Sequence, residues 1–332
     1  MIITRTPLRI SFLGGGTDYP DYFRHCSVGG RTLGIAIDKY SYVSVNPLAD
    51  FFDYTIRVGY ARTELVNEID EIEHPAVRES LRFVGLANHV EIGYWGDLPA
   101  RTGLGSSSSF TVGLLHGLHA YKGELVDHAQ LAEEAVHVEQ EMIGERVGVQ
   151  DQYICAHGGL VNVRCRPDGG VDAHPVPMKS ERLAAFHDHL LLVYTGVRRL
   201  AHEVLEEQLA RTCSGEIAVN LGRMSDLVDQ GVEVLCGGGC LSAFGEILHE
   251  SWSLKRGLSS TVSNDMIDEC YLRARRGGAT GGKLLGAGGG GFLLLFVEPD
   301  RHDAVRASLS ELKFVDFAFD SSGSRILFYR PT

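Results

Sequence analysis

The stretch Pro99-Ala-Arg-Thr-Gly-Leu-Gly-Ser-Ser-Ser-Ser-Phe110 decides how this chain reads. Gly103 and Gly105 sit one residue apart, Ser106 to Ser109 follow without a break, and an apolar run opens at Phe110. Glycine lets the backbone turn tightly and aim its N–H groups at a guest, and serine is a favoured cap for a following helix. A helix start carries free N–H groups and a partial positive charge, so the pattern predicts a phosphate cradle. The run holds no lysine in the Walker A position, so charge neutralisation has to come from elsewhere, most simply from Mg2+ held on a serine hydroxyl. A solvent-exposed Gly/Ser turn capping an ordinary helix is the competing reading.

Outward from that stretch, strand and helix signals alternate in both directions. Residues 2–13 read as a strand entering the turn Gly14-Gly15-Gly16-Thr17-Asp18, and residues 34–46 and 54–60 carry further strand patterns. Residues 64–87 read as a mixed helical segment interrupted at Pro75, and His89 to Tyr94 as a short strand. Past the cradle come helices to about Tyr121 and from Val126 to Ile143. Glycine-broken sequence over 144–159 follows, then a hairpin around Leu160–Arg166 with the turn Pro167-Asp-Gly-Gly. The polar segment Lys179 to Asp188 predicts a domain boundary. Beyond it lie a buried strand at His189–Thr195, helices at Leu200–Cys213, Ala218–Leu235, Leu241–Lys255 and 264–276, and a glycine run leading to the strand Phe292–Val297. A helix at 300–312 and strands near 314–320 and 325–330 close the chain. The expected class is α+β.

Composition narrows the function. At 332 residues the chain is long enough for two domains. A net charge of −12 with no basic run excludes a nucleic-acid surface, so any anion must be bound by loops, helix ends and metal. Seven scattered cysteines without a CxxC pair predict reduced thiols in a cytoplasmic protein; Cys236 and Cys240 bracket three glycines, with nothing nearby to complete a zinc site. The longest uncharged run, Leu284 to Val297, is too short and glycine-rich to span a bilayer.

Several side chains stand out chemically. Glu139 shares a helical face with Ala132, Ala135 and Val136, so a cation is its expected partner: a metal, or a neighbouring arginine. Asp151 lies in uncharged, glycine-flanked sequence, where a carboxylate can orient or deprotonate a hydroxyl or simply cap a turn. Arg9, flanked by Leu8 and Ile10, either partners a carboxylate or phosphate or snorkels to the surface. Three glycine stretches, at 14–16, 103–105 and 286–291, suggest backbone approaching one ligand from several sides, or three tight turns. His187 and His189 have no third ligand in view and are assigned no metal.

Three motifs, in this order, resemble the GHMP kinases, the family of galactokinase, homoserine kinase, mevalonate kinase and phosphomevalonate kinase. They are Pro7-Leu-Arg-Ile-Ser-Phe-Leu-Gly-Gly-Gly-Thr-Asp18, Leu98-Pro-Ala-Arg-Thr-Gly-Leu-Gly-Ser-Ser-Ser-Ser109 and Lys283-Leu-Leu-Gly-Ala-Gly-Gly-Gly-Gly-Phe292. The resemblance implies an α+β fold of two domains: 1–180, like ribosomal protein S5 domain 2, and 181–332, ferredoxin-like. Within the family, TPLRISFLGGGTDYPDYF, GIAIDKY, LLVYTGVRRLAHEV, HESWSLKRGLS and GGKLLGAGGGGFLLLF resemble the branch that phosphorylates the anomeric position of D-glycero-D-manno-heptose 7-phosphate, for nucleotide-activated heptose synthesis. Fucokinase domains share much of this. The Glu-His pair of galactokinase's first motif is here Gly15-Gly16, which argues against galactose.

Carried over by position, the resemblance implies Asp151 as catalytic carboxylate and Arg9 as its cation. Gly103, Leu104, Gly105, Ser106, Ser107, Ser108, Gly288 and Gly289 would bind ATP. Ser107 and Glu139 would hold Mg2+. Gly16, Thr17, Asp18, Gly148, Gly286 and Lys255 would line the acceptor, with Lys255 and Arg256 as the guess for its phosphate. The implied partners are ATP and a small sugar phosphate, with no nucleic acid or membrane, and the chain as monomer or homodimer. L-fucose as acceptor, and a catalytically silent sugar-and-ATP sensor, stay open as alternatives.

Overall fold

The computed structural model describes residues 1–100, 102–196 and 201–330. Arg101 of the glycine–serine run, the first residue of the helix expected at Leu200–Cys213, and residues 197–200 of the LLVYTGVRRLAHEV stretch lie outside the described residues.

Two sheets form the frame. The first has eight strands: β1 (Ile2–Leu13), β2 (Gly30–Pro47), β3 (Ile56–Gly59), β4 (Thr63–Val66), β5 (Val90–Gly96), β6 (Leu160–Cys165), β7 (Val171–Pro175) and, at the other end of the chain, β12 (Arg325–Tyr329). Their order is β12-β1-β2-β5-β3-β4, antiparallel except for the β3–β5 pair. The long β2 divides its free edge: Gly30–Ile35 pair with β6, which pairs with β7, and Ser41–Pro47 pair with β5. The second sheet is wholly antiparallel, with β8 (Leu190–Tyr194), β9 (Ala279–Leu284), β10 (Phe292–Val297) and β11 (Lys313–Phe314) in the order β11-β8-β10-β9. With a helical crossover before β9 and another after β10, that is the ferredoxin-like arrangement the sequence implies. The strand expected near 325–330 forms as β12 and pairs with β1, so the end of the chain returns to the first sheet.

Helices follow in chain order: α1 (Pro20–Phe23), α2 (Pro75–Val84), α3 (Ser106–Lys122), α4 (His128–His137), α5 (Gln150–His157), α6 (Ser180–Asp188), α7 (Ala201–Cys213), α8 (Ala218–Cys236), α9 (Ser242–Arg256), α10 (Asp265–Gly277) and α11 (His302–Ser308). One face of the first sheet buries Val43, Val45, Ile56, Val58 and Ile92 against Leu81 of α2, Leu114 and Leu118 of α3 and Leu131 of α4. On β1 the alternation turns Leu8, Ile10 and Phe12 the other way, into a core shared with Phe186 of α6, Phe244 of α9 and Phe296 of β10. The Phe12 ring meets those of Phe186 and Phe244 edge-on at 5.3 and 5.6 Å. Truncating such a ring costs about 3–5 kcal/mol, so this cluster is what clamps the two halves together. All six residues of β10 are buried, because the second sheet packs α10 and α11 against its far face through Ile267, Tyr271 and Val305.

Four expectations change. The segment 64–87 is β4, a 3-10 turn at Ile69–Glu71 and α2, which starts at Pro75 because proline suits the first helical position. The glycine-broken 144–159 stretch contains α5. The helix expected over Val126–Ile143 is α4, then a wider π-type turn over Val138–Met142 in which Ile143 N–H reaches back to the Val138 carbonyl at 2.9 Å. Polar Lys179–Asp188 holds α6, folded around buried Phe186.

Candidate active site

The cradle turns as its glycines demand. Gly103 and Gly105 have φ of +84° and +73°, the left-handed region that glycine enters without strain. Gly105, not a serine, is the residue that starts α3, and no side chain caps it. The first backbone bond runs from Ser109 N–H to the Gly105 carbonyl at 2.9 Å. The N–H groups of Ser106, Ser107 and Ser108 therefore have no partner within the helix, and they point where a guest anion would sit. Leu104 buries its side chain in the shared core and offers only backbone, its carbonyl accepting the Arg9 N–H at 3.0 Å.

Arg9 leaves β1 to meet Asp151 in the first turn of α5. Its Nε and Nη2 donate to the two Asp151 carboxylate oxygens, both at 2.6 Å, and Nη1 donates to the Gly103 carbonyl at 2.6 Å. Arg9 is 4% exposed and Asp151 22%, so the carboxylate opens on solvent and the guanidinium backs it. Burial alone would pull Arg9 down; the Asp151 charge outweighs it and holds the guanidinium above its usual value. A Cβ on Gly105 would stand 3.3 Å from Asp151 Oδ2, which places the carboxylate at the mouth of the cradle.

Behind this pair lies Asp18. Its Oδ1 accepts from Gly16 N–H at 3.0 Å and its Oδ2 from Gln150 N–H at 3.4 Å, and a side chain at Gly148 would overlap it. Burial pushes the Asp18 carboxyl up. Ser11 donates to Gln150 Oε1 at 2.7 Å. Gly16 and Gly148 thus seat Asp18, and Thr17 braces the turn: it is fully buried, its hydroxyl shared between the Gly14 and Arg31 carbonyls at 2.8 and 2.7 Å. That inward hydroxyl is a correction to a lining role for Thr17.

The third glycine run packs backbone to backbone on the first cradle. A Cβ on Gly103 would overlap the Leu285 carbonyl, one on Gly286 would lie 2.5 Å from Gly103 Cα, and one on Gly291 would overlap the Thr102 carbonyl. Gly289 N–H bonds the Val262 carbonyl at 3.0 Å, and Gly288, at φ +131°, crosses close over the Val262 backbone. From the last turn of α9, buried Lys255 donates to the Gly286 carbonyl at 2.5 Å. Burial, then the Arg9 charge, pull Lys255 down to about 8. Lys283, fully buried on β9, donates to the Phe12 carbonyl at 3.0 Å and is held far below the ordinary lysine value by burial and then by Lys255. Arg256 turns away to solvent and pairs with Asp268 at 2.8 Å, so it is no part of this cluster.

Glu139 sits in the wide turn after α4, 2% exposed. Its Oε2 accepts from Ser108 Oγ at 3.0 Å and from Gln152 Nε2 at 2.6 Å, while its Oε1 is buried without a partner among the described residues. Burial pushes the carboxyl up to about 7, against the opposing pull of the neighbouring Thr111, Gln152 and Ser108 side chains. Ser108 thus reaches Glu139, and Ser107 is exposed at the same helix start. A buried carboxylate oxygen with nothing to bind, next to hydroxyls at a phosphate cradle, fits a hard divalent cation that keeps water and phosphate oxygens as its other ligands. Among the described residues no group of three or more His, Cys, Asp or Glu side chains could hold a metal unaided.

Sequence reasoning passed over Ser11, Gln150, Gln152 and Lys283. Lys283 carried the one usable signal, a lone cation immediately ahead of a glycine run. The seven cysteines are free, and no helix among the described residues is long and apolar enough to cross a membrane.

Comparison with known proteins bears on the fold and the family. Residues 69–159 match the GHMP kinases N terminal domain and residues 232–313 match GHMP kinases C terminal. The chain is 24% identical to D-glycero-alpha-D-manno-heptose 7-phosphate kinase of Campylobacter jejuni, over 97% of each chain. It is 26% identical to the bifunctional fucokinase/GDP-fucose pyrophosphorylase of Arabidopsis thaliana over 92% of its own length, but spans only 31% of that protein. The crystal structure of a D-glycero-D-manno-heptose 1-phosphate kinase from Bacteroides thetaiotaomicron superposes with a TM-score of 0.78 at 21% identity, over 99% of this chain and 100% of that one. Lactococcus lactis galactokinase with galactose gives 0.75 at 19%, over 98% and 95%. With both family domains matched in order on a two-domain α+β fold, the chain belongs to the GHMP kinase family and is an ATP-dependent kinase.

Proposed function

We propose that this kinase transfers the γ-phosphoryl group of ATP, with Mg2+, to the anomeric hydroxyl of D-glycero-D-manno-heptose 7-phosphate, giving the 1,7-bisphosphate. The observation that carries the transfer is the Arg9–Asp151 pair at the mouth of the lysine-free cradle. The relative from Campylobacter jejuni, matched end to end, supports the acceptor.

Phosphoryl transfer runs through a loose transition state, so positioning and charge neutralisation supply most of the rate. The N–H groups of Ser106–Ser108 and the start of α3 take phosphate charge. Asp151, held in place by the Arg9 fork, orients the acceptor hydroxyl and takes its proton as the new O–P bond forms and the bond to the β-phosphate oxygen breaks. The anomeric hydroxyl is more acidic than an ordinary alcohol, so Asp151 need not be a strong base. Glu139 and the hydroxyls of Ser107 and Ser108 are the groups that would hold Mg2+, which would supply positive charge to the phosphates. Asp18, buried behind the Arg9–Asp151 pair, is the carboxylate that would hydrogen-bond the sugar.

ADP release against a panel of acceptors tests this reading. Heptose 7-phosphate is expected to exceed unphosphorylated heptose and L-fucose by at least about tenfold in kcat/KM. Preference for L-fucose would move the chain to the second reading, which the Arabidopsis relative favours. No turnover of any sugar would leave a sugar-and-ATP sensor, against which the bidentate Arg9–Asp151 pair argues, since binding alone does not need it.

A further inference from the structure

A cradle without a P-loop lysine still has to set a cation against the phosphoryl group in flight. Among the described residues three buried cations share the field of Asp18, two of them also that of Asp151, and their hydrogen bonds separate them. Arg9 spends Nε and Nη2 on Asp151 and Nη1 on the Gly103 carbonyl. Lys283 is turned toward the strand at its back, onto the Phe12 carbonyl. Lys255 is different. Its ammonium has three donors, and among the described residues one is used, on the Gly286 carbonyl. A side chain at Gly15 would come 4.0 Å from its Nζ, so the ammonium lies between the first glycine turn and the third.

We propose that Lys255 is the cation that faces the transferring phosphoryl group, brought by α9 from the second half of the chain to do what a P-loop lysine does from within its own loop. This rests on the phosphotransfer reading of the site, not on the identity of the sugar. As the acceptor oxygen bonds to the γ-phosphorus and ADP departs with the electron pair of the broken bond, the hydroxyl proton goes to Asp151. Lys255 keeps its own protons and donates its two spare N–H groups to the γ-phosphoryl oxygens. The charged groups coupled to it are Arg9 from β1, Asp18 from the turn after it, Asp151 from α5 and Lys283 from β9. Their balance, with burial, leaves Lys255 charged at neutral pH and losing its proton from about pH 8 upward, unlike an arginine in the same place.

Binding of ADP with aluminium fluoride, a mimic of the transferring group, tests this by calorimetry without any sugar. Wild type is expected to bind ADP–aluminium fluoride more tightly than ADP, and Lys255→Met to lose about 10- to 100-fold of that added affinity while holding ADP within about threefold. With an acceptor that turns over, wild-type kcat/KM should fall above about pH 8, and Lys255→Arg, which cannot lose its charge, should lack that fall. Undiminished fluoride-complex affinity in Lys255→Met overturns the assignment. So does an alkaline fall shared by Lys255→Arg, or a kcat/KM loss confined to acceptors bearing a phosphate, which would put Lys255 on the acceptor's own phosphate. If no sugar is turned over, the acceptor reading fails while the calorimetry still decides on Lys255.

Discussion

Asp151 does its work through what it touches. Replacing it with asparagine keeps the size and removes the charge, so the Arg9 fork loses its anion and, on the proposed mechanism, the acceptor loses its base. Asp151→Asn is expected to lower kcat by about 10²- to 10⁴-fold with ATP affinity nearly unchanged, measured by single-turnover ADP release and nucleotide titration. Near-normal turnover would remove Asp151 from the reaction. Glu139→Ala should raise the Mg2+ concentration needed for half-maximal rate, since the orphaned Oε1 disappears with the side chain. An unchanged metal dependence would reject Glu139 as a ligand. Residues such as Arg9, Asp151 and the 103–105 glycines were legible because their type is odd for their surroundings: a cation within a strand, a carboxylate among apolar neighbours. The choice between Ser107 and Ser108 was not. Neighbours on a helix point about 100° apart, and nothing in four consecutive serines says which one faces Glu139.

Elements carry the same lesson. α3 was legible from its glycine start and apolar run, but α5 was not, although it carries Asp151. Gln152, Tyr153, Ile154, Cys155 and Ala156 are all buried in succession, so α5 is covered on nearly every side and shows no polar face to give a period. The wide turn at Val138–Met142 was hidden too, because a single extra residue in a turn changes no composition. Where α3 ends against α4, His119 joins them: its Nδ1 meets Glu124 and its Nε2 meets Glu134, both at 2.7 Å. A neutral imidazole has one N–H, so only the imidazolium serves both carboxylates. The Glu134 bond, opposed by burial and helped by Glu124, raises the His119 pKa. A raised histidine stabilises the fold fully below its unfolded value, near 6.5, and the benefit fades as pH climbs through the folded value. His119→Gln should therefore cost about 1–3 kcal/mol at pH 6 and less at pH 9, read from denaturant midpoints. A cost that is equal at both pH values would show that the charge plays no part.

At the scale of the molecule, two sheets are joined by the Phe12 cluster and by glycine loops that meet backbone to backbone. Most strands could be anticipated from their own residues, β4 and β9 excepted, but the return of β12 to β1 could not: it depends on the 311 residues between Leu13 and Arg325, and local pattern holds no record of it. The same is true of the contact between Gly103 and Gly286, although each glycine run stands out alone. That contact sets how the second half of the chain, with Lys255, is aimed at the cradle. Gly286 has φ +78° and no room for a Cβ before Gly103 Cα. Gly286→Ala then brings a left-handed alanine, which costs about 1–2 kcal/mol, and forces the two loops apart. Both act on the backbone of the loops and not on the packed rings of the Phe12 core, so the fold should survive. A misplacement on the order of 1 Å at the reacting groups is worth about 10²-fold in rate. The expected result is a thermal midpoint lowered by only about 2–8 °C together with a fall in kcat of about 10²-fold. If kcat and stability declined in step, or kcat held while stability fell, the loop contact would be packing alone, and the alignment of the two halves would rest on the aromatic cluster.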